Sequence, residues 1–125
     1  MILNNYHNQI EAVNNSIAKK CFVIMPFSDS KSHSQLYWDK HYELFLKPIV
    51  EKNGLNVSRS KPFRGSVSDQ IILNLITSEI VVADITDHNP NVFWELGLRY
   101  RFKFGNVIIA EENTEIPFIS AMKVF

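Results

Sequence analysis

The sequence has little cysteine and little glycine, and each shortage excludes a class of protein. Cys21 is the only cysteine among 125 residues, so neither an internal disulfide nor a cysteine-based metal site can form. It opens an apolar run and is expected to be a small buried hydrophobic residue. No stretch rich in glycine and serine separates two domains. A chain without disulfides suits a reducing compartment, and we expect the cytoplasm.

Net charge and long apolar runs are absent as well. Thirteen basic and thirteen acidic residues cancel, which leaves no electrostatic footprint for nucleic acid or for an anionic membrane surface. No apolar run approaches the roughly 18 residues of a membrane span. The N-terminus lacks the basic-then-apolar layout of a signal peptide. The four histidines show no zinc-ligand spacing, so we expect no metal, no membrane and no nucleic-acid partner.

Apolar runs and helical spacings alternate from residue 20 onwards. Continuous apolar runs at residues 21–25, 80–83 and 107–110 indicate strands covered on both faces. Residues 55–59 are a shorter strand candidate, and residues 122–125 start a fifth strand. Helices are predicted over residues 35–53, from a capping sequence at 66–69, and over 90–104. Pro48 should kink or split the first helix, which Gly54 ends, and Gly105 should stop the third.

Strand–helix alternation predicts a parallel sheet with right-handed crossovers. We expect a flavodoxin-like three-layer α/β sandwich of four to five strands in the order 2-1-3-4-5. Residues 1–19 form a polar extension, and residues 20–125 form the domain, which we expect to continue past Phe125 or to be covered there by a partner. Ligands of this fold bind where the first and third strands end. Those ends are Pro26-Phe27-Ser28 and Asp84-Ile85-Thr86.

Glu95 is placed by the segment that follows the third strand. Asn89 is the expected N-cap and Pro90 the first helical residue. Helical side chains lean toward the N-terminus, so Glu95 in the second turn can overhang the crevice at the strand ends. Another interpretation is a surface ion pair between Glu95 and Arg99 at i+4, worth about 0.2–0.5 kcal/mol. Asp84 likewise either contacts a ligand or accepts N–H groups of its own loop.

Three strings together carry a resemblance to a known family. Residues 22–28, 83–86 and 89–97 read FVIMPFS, ADIT and NPNVFWELG. They resemble the TIR-like, nucleoside 2-deoxyribosyltransferase-like nucleotide-binding domains of bacteria, over about residues 21–118. The resemblance implies a flavodoxin-like fold and a ligand built from a nucleobase and a ribose. In the transferases, the Glu that matches Glu95 is the nucleophile on the anomeric carbon. In catalytic TIR domains, a Glu on a comparable helix cuts the nicotinamide–ribose bond of NAD.

The predicted site follows from the strand ends and from this resemblance. Glu95 is the predicted catalytic residue. The transferases carry an Asp, which holds the base, six residues before the nucleophile, and Asn89 stands there in this chain. Backbone N–H groups at the start of the third helix, together with Arg64, are candidates to hold phosphate. The predicted substrate-binding residues are Pro26, Phe27, Ser28, Arg64, Asp84, Asn89 and Asn91.

Two functions remain open at this point. The first is cleavage or transfer of an N-glycosidic bond, in which a carboxylate stabilises an oxocarbenium-like transition state. NAD or a nucleoside would be the substrate, and no cofactor is expected. The second is a non-catalytic nucleotide-sensing or self-assembly module in bacterial immune signalling. We expect a homo-oligomer, because the sheet edge near Phe125 and the aromatic third helix would otherwise expose apolar surface. A phosphoacceptor receiver domain is disfavoured, since Met25-Pro26-Phe27 supplies no acidic residue.

Overall fold

A four-stranded parallel sheet forms the centre of the chain. The computed structural model describes residues 4–9, 19–61 and 69–116. The strands are β1 (Lys20–Ile24), β2 (Asn56–Arg59), β3 (Ile80–Asp84) and β4 (Asn106–Ile109). They run parallel in the order β2-β1-β3-β4. This confirms the predicted flavodoxin-like topology for four strands, and the fifth strand predicted at residues 122–125 lies outside the described residues.

Helices connect the strands, as their spacing predicts. The connecting helices are α2 (Gln35–His41), α3 (Lys47–Lys52), α4 (Asp69–Thr77) and α5 (Pro90–Phe102), and a further helix, α1 (residues 4–9), precedes β1. A π-helical turn, Tyr42–Leu46, joins α2 to α3. The helix predicted over residues 35–53 is therefore interrupted just before Pro48. The proline ring removes one backbone N–H and crowds the carbonyl four residues earlier, which accounts for a break there.

The helices cover both faces of the sheet. On one face, Phe22 and Ile24 of β1 pack against α4 and α5, which contribute Ile71, Leu75, Val92 and Leu96. On the other, Cys21, Val23 and Met25 pack against Trp38, Tyr42, Leu46 and Val50 of the α2–α3 segment. Because successive strand residues point to opposite faces, β1 and β3 contribute buried residues to both cores, whereas the edge strand β2 contributes Val57 to the second core only. Fully burying one such large apolar side chain contributes about 1.5–3 kcal/mol. Within the described ranges, no helix is both long and apolar enough to cross a membrane.

Gly105 is required by the turn that leads into β4. Its φ is +97°, and a Cβ there would lie 2.6 Å from the carbonyl oxygen of Glu79. The Gly105 carbonyl itself accepts the Val81 N–H at 3.0 Å, so the turn cannot move away without losing a bond to β3. Strain at positive φ costs about 1–3 kcal/mol for a residue with a side chain.

We expect Gly105→Ala to lower the free energy of unfolding by at least about 2 kcal/mol, because the strained φ and the clash add together. Urea denaturation measures this change. Gly97→Ala is the matched control: a Cβ at Gly97 meets nothing within 4 Å, and alanine favours the helix by about 0.8–1.0 kcal/mol over glycine. Equal stability of the two variants would contradict the role given to Gly105.

Candidate functional site

The carboxyl ends of β1, β2 and β3 meet at one edge of the sheet. After β1, Pro26 is buried, Phe27 is partly buried and Ser28 is exposed. After β2, the Ser60 N–H donates to the carbonyl of Val23 at 2.8 Å, which continues the pairing with β1 by one residue. Asp84 ends β3 and is 3% exposed. This edge is where a parallel α/β sheet binds its ligands.

Asn89 and Pro90 begin α5 as the sequence predicts. The Asn89 Oδ1 accepts the N–H of Asn91 at 2.9 Å and that of Val92 at 3.3 Å, and Pro90 occupies the first turn. The capped helix then turns Val92 and Leu96 into the core. Glu95 lies on this inward side and is only 6% exposed. The same face that packs the helix therefore carries a carboxylate into the protein.

The Glu95 carboxylate accepts a hydrogen bond from a serine that lies 35 positions earlier in the sequence. Ser60, 1% exposed, donates its hydroxyl to Glu95 Oε2 at 2.6 Å. Burial raises the pKa of Glu95 to about 7, and the hydrogen bond from Ser60 opposes that rise. A carboxyl group with this pKa is present in both its ionised and protonated forms near neutral pH. Such a group suits proton transfer and charge stabilisation.

Arg99 does not pair with Glu95, so the interpretation of a surface ion pair is wrong. Arg99 is 0% exposed, and its guanidinium makes five hydrogen bonds elsewhere. Its acceptors are four backbone carbonyls and one side-chain amide, on Leu75, Ser78, Glu79, Phe104 and Asn106. The i+4 spacing alone could not distinguish these partners from a neighbouring carboxylate.

The Asp84 carboxylate forms hydrogen bonds with a backbone N–H of its own loop and with the ring of a histidine. Its Oδ1 accepts the Thr86 N–H at 3.0 Å, as the strand-end interpretation predicts, and its Oδ2 lies 3.1 Å from His41 Nε2. The sequence reasoning placed His41 on an apolar helix face but did not assign it a partner. Strand alternation offers the signal: Val82 packs on the α2 side, so Asp84, two residues on, points to that side as well.

Asp84 and Glu95 therefore reach the edge from different faces of the sheet. Asp84 contacts α2 through His41, whereas Glu95 is carried by α5 and bonds to Ser60. That these two residues line one pocket with Pro26, Phe27, Ser28 and Asn91 stays a prediction. Asn91 is exposed on the first turn of α5, and Asn89 is partly buried and caps that helix. Arg64 lies outside the described residues.

The loop after β3 contains a strained residue that the sequence reasoning missed. Asp87 has φ +64° and His88 has φ +52°, a region that residues with a side chain adopt rarely. Asp87 accepts the hydroxyls of Ser30 at 2.6 Å and Ser32 at 2.5 Å, and the Ser32 N–H at 2.8 Å. Burial raises its pKa, but these hydrogen bonds outweigh burial and the net shift is downward. Asp87 thus ties the loop after β1 to the loop after β3.

A polar cleft of about 420 Å³ opens beside this loop, lined by residues 31–32, 86–88 and 111–115. Its walls are joined by hydrogen bonds: the Glu111 N–H donates to Thr86 Oγ1 at 2.9 Å, and the Glu111 carboxylate lies 2.5 Å from His33 Nε2. The cleft shares Thr86 with the predicted strand-end string, whereas Glu95 does not line it. The parts of the chain that the structure describes contain no group of three or more His, Cys, Asp or Glu side chains placed for a metal ion.

Comparison with known proteins adds nothing to this geometry. The chain matches no protein-family profile, no curated protein and no solved structure. The structure itself gives a small α/β domain with a four-stranded parallel sheet in the order β2-β1-β3-β4 and helices on both faces. Function must therefore be argued from the side chains at the edge of the sheet.

Proposed function

We propose that the chain binds a nucleotide or nucleoside at the carboxyl edge of the sheet and that Glu95 acts on its N-glycosidic bond. The observation that carries the proposal is the buried Glu95 carboxyl group, 6% exposed and with a pKa raised to about 7. The resemblance of the FVIMPFS, ADIT and NPNVFWELG strings to the TIR-like and deoxyribosyltransferase-like domains supports the same assignment.

An ionised Glu95 is costly to the fold, which favours a functional reason for keeping it. Burying a carboxylate without a cation partner destabilises the native state, and the one hydrogen-bond donor to Glu95 among the described residues is the neutral Ser60 hydroxyl. Groups with strongly raised pKa values concentrate at functional sites. A buried carboxylate beside a sugar would stabilise the positive charge that develops on the anomeric carbon.

NAD suits this arrangement better than a neutral nucleoside. When the bond between C1′ and the nicotinamide nitrogen breaks, its electron pair neutralises the positively charged ring, so no acid has to protonate the leaving group. Ionised Glu95 then faces the oxocarbenium ion and accepts a proton from the attacking water, which leaves ADP-ribose. A neutral nucleobase needs a proton to depart, and an ionised Glu95 cannot supply it. Cleavage of NAD should therefore rise with pH through about 7.

The direct test is nicotinamide release by the purified protein at high concentration, measured by chromatography from about pH 5.5 to about pH 8.5. We expect release that saturates with NAD and rises with pH. A deoxynucleoside with a free acceptor base is assayed in parallel, and base exchange without nicotinamide release would assign the transferase reaction instead. If neither substrate reacts at any pH, the chain does not carry out the proposed chemistry.

A non-catalytic assembly module is the second candidate, and exposed aromatic residues favour it. Trp94 and Phe102 on α5 are 51% and 53% exposed, and Phe104 in the following turn is 85% exposed. Exposed apolar surface of this kind often marks an interaction site. This candidate requires self-association that responds to a nucleotide, but no turnover.

We expect sedimentation velocity to show association that grows with protein concentration and that Phe104→Ser weakens, because the change removes apolar contact area. Leu44→Ser is the matched control, since Leu44 is 74% exposed on the π-helical turn of the other face. A protein that stays monomeric over a wide concentration range, with or without NAD, would exclude the assembly role. Equal weakening by both variants would place the contact elsewhere.

A further inference from the structure

The hydrogen bond between Ser60 and Glu95 joins the end of β2 to α5. The Ser60 hydroxyl lies 2.6 Å from Glu95 Oε2, and the two residues are 1% and 6% exposed. The backbone of Ser60 is itself fixed, because its N–H donates to the Val23 carbonyl at 2.8 Å. Pairing with β1 therefore fixes the backbone that carries the Ser60 hydroxyl, and that hydroxyl contacts the Glu95 carboxylate directly.

Within residues 19–61 and 69–116, the other charged groups on and around α5 form no hydrogen bond or ion pair with Glu95. The helix packs against α4, β3 and β1. The titratable side chains on those elements are Asp69, which is exposed, Asp84, which bonds to His41 and Thr86, Lys20, which bonds to Thr77, and Cys21, which packs on the opposite face. At the end of β2, Arg59 pairs with Asp39 at 2.9 Å. Arg99 on α5 donates to backbone carbonyls and to Asn106.

We propose that Ser60 is a positioning residue for Glu95. The Ser60 hydroxyl holds the Glu95 carboxylate at the edge of the sheet and favours the ionised form of that carboxylate. The catalytic consequence rests on the function proposed above, whereas the hydrogen bond acts in the free protein. A hydroxyl that donates to a carboxylate makes a charge-assisted bond, which is stronger than its bond to the neutral acid.

Removing the hydroxyl should raise the pKa of Glu95 further, since burial would then be unopposed. The carboxyl titration can be followed by carbon NMR of protein labelled at glutamate, with the Glu95 signal assigned by its loss in Glu95→Gln. We expect the Ser60→Ala midpoint to lie about one pH unit above that of the wild type, a roughly tenfold change in the ionisation constant. Ser60→Thr keeps a hydroxyl and should titrate near the wild type.

Two further variants keep the test decisive. Ser58→Ala, at an exposed position of β2 two residues before Ser60, should leave the midpoint unchanged. Ser60→Cys is close in size to serine but is a weaker donor, so it should shift the midpoint in the same direction by less, and it answers the question if Ser60→Ala does not fold. An unchanged Glu95 midpoint in a folded Ser60→Ala or Ser60→Cys protein would overturn the proposal.

The pH profile of NAD cleavage separates this proposal from the proposed function. With Ser60→Ala, the rising limb of kcat should move to higher pH by the same amount as the NMR midpoint, while KM changes less than kcat. Rescue by Ser60→Thr should accompany it. If Ser60→Ala shifts the Glu95 midpoint but the wild-type protein cleaves no NAD, the proposed reaction is refuted and the effect of Ser60 on Glu95 is retained. A shifted midpoint with an unmoved kcat profile would refute the positioning role.

Discussion

Glu95→Gln is expected to fold normally and to lose NAD cleavage by about 10²–10⁴-fold. Glutamine keeps the size of the side chain and can still accept the Ser60 hydroxyl, which donates to Oε2 at 2.6 Å. It removes the negative charge that would face the oxocarbenium ion and the base that would take the proton from water. Nicotinamide release at saturating NAD, measured above about pH 7 where the wild-type carboxylate is ionised, gives the comparison.

The same substitution is expected to change how stability depends on pH. Burial raises the pKa of Glu95 from 4.5 to about 7, so the folded protein holds this proton over a range in which the unfolded chain has released it. The stability associated with the protonated form is fully present below about pH 4.5 and is lost as pH rises through about 7. Glutamine does not titrate. Glu95→Gln should therefore exceed the wild type in stability above neutral pH, by up to about 3 kcal/mol, in urea denaturation at several pH values.

A matched control is Glu112→Gln, at an exposed glutamate in the loop after β4. It should change neither NAD cleavage nor the pH dependence of unfolding. A well-folded Glu95→Gln protein that still cleaves NAD would remove the catalytic role. A stability difference between Glu95→Gln and the wild type that is the same at every pH would remove the raised pKa, and with it the observation on which the proposed function depends.

The fold was predictable because its signals are local. Continuous apolar runs located β1, β3 and β4, and the shorter candidate at residues 55–59 located β2. Gly54, Gly105 and the Asn89–Pro90 pair located helix ends within two residues. The predicted and observed strand bounds differ by one residue where a polar residue forms the hydrogen bonds of a strand or an apolar residue does not. Lys20 is exposed, yet it pairs in register with Asn56 and so begins β1. Backbone hydrogen bonding along a strand does not require an apolar side chain, so a pattern of apolar residues does not reveal where that bonding begins.

The site was less predictable because its contacts join distant parts of the chain. The sequence placed Glu95 near the strand ends, where its catalytic role stays a prediction, but its burial and its partner Ser60 were not predicted, since the two residues are separated by 35 positions. His41 and Asp84 are 43 positions apart. A polar residue at the end of a strand is equally compatible with solvent and with a buried bond, and only the packing of α5 over the sheet decides between them. The left-handed conformation of Asp87 carries no sequence signal beyond the modest tolerance of Asp for it.

Arg99→Met is expected to lower the free energy of unfolding by about 3–5 kcal/mol, because a hydrogen bond to a charged group contributes about 1.5–3 kcal/mol and five of them are lost, only partly replaced by water. Arg99 is 0% exposed, and methionine fills much of its volume without donating a hydrogen bond. The change would leave four buried or partly buried backbone carbonyls without their donors, on Leu75, Ser78, Glu79 and Phe104. Each unsatisfied buried group costs about 1–3 kcal/mol, and water reaching some of them reduces the sum.

These carbonyls explain why one side chain matters so much. They belong to the end of α4, the approach to β3 and the turn after α5, so the guanidinium closes three chain segments around one planar group. Lysine has three donors on a single nitrogen and cannot reproduce that geometry, so Arg99→Lys should recover less than half of the loss. Arg101→Met, at an exposed position two residues away, should change stability by under about 0.5 kcal/mol.

Urea denaturation of the four proteins decides the matter: an Arg99→Met variant within about 1 kcal/mol of the wild type would show that solvent replaces the guanidinium at little cost. Because Glu95 lies one turn earlier on α5 and shares no partner with Arg99, the folded fraction of Arg99→Met should keep the wild-type Glu95 titration midpoint.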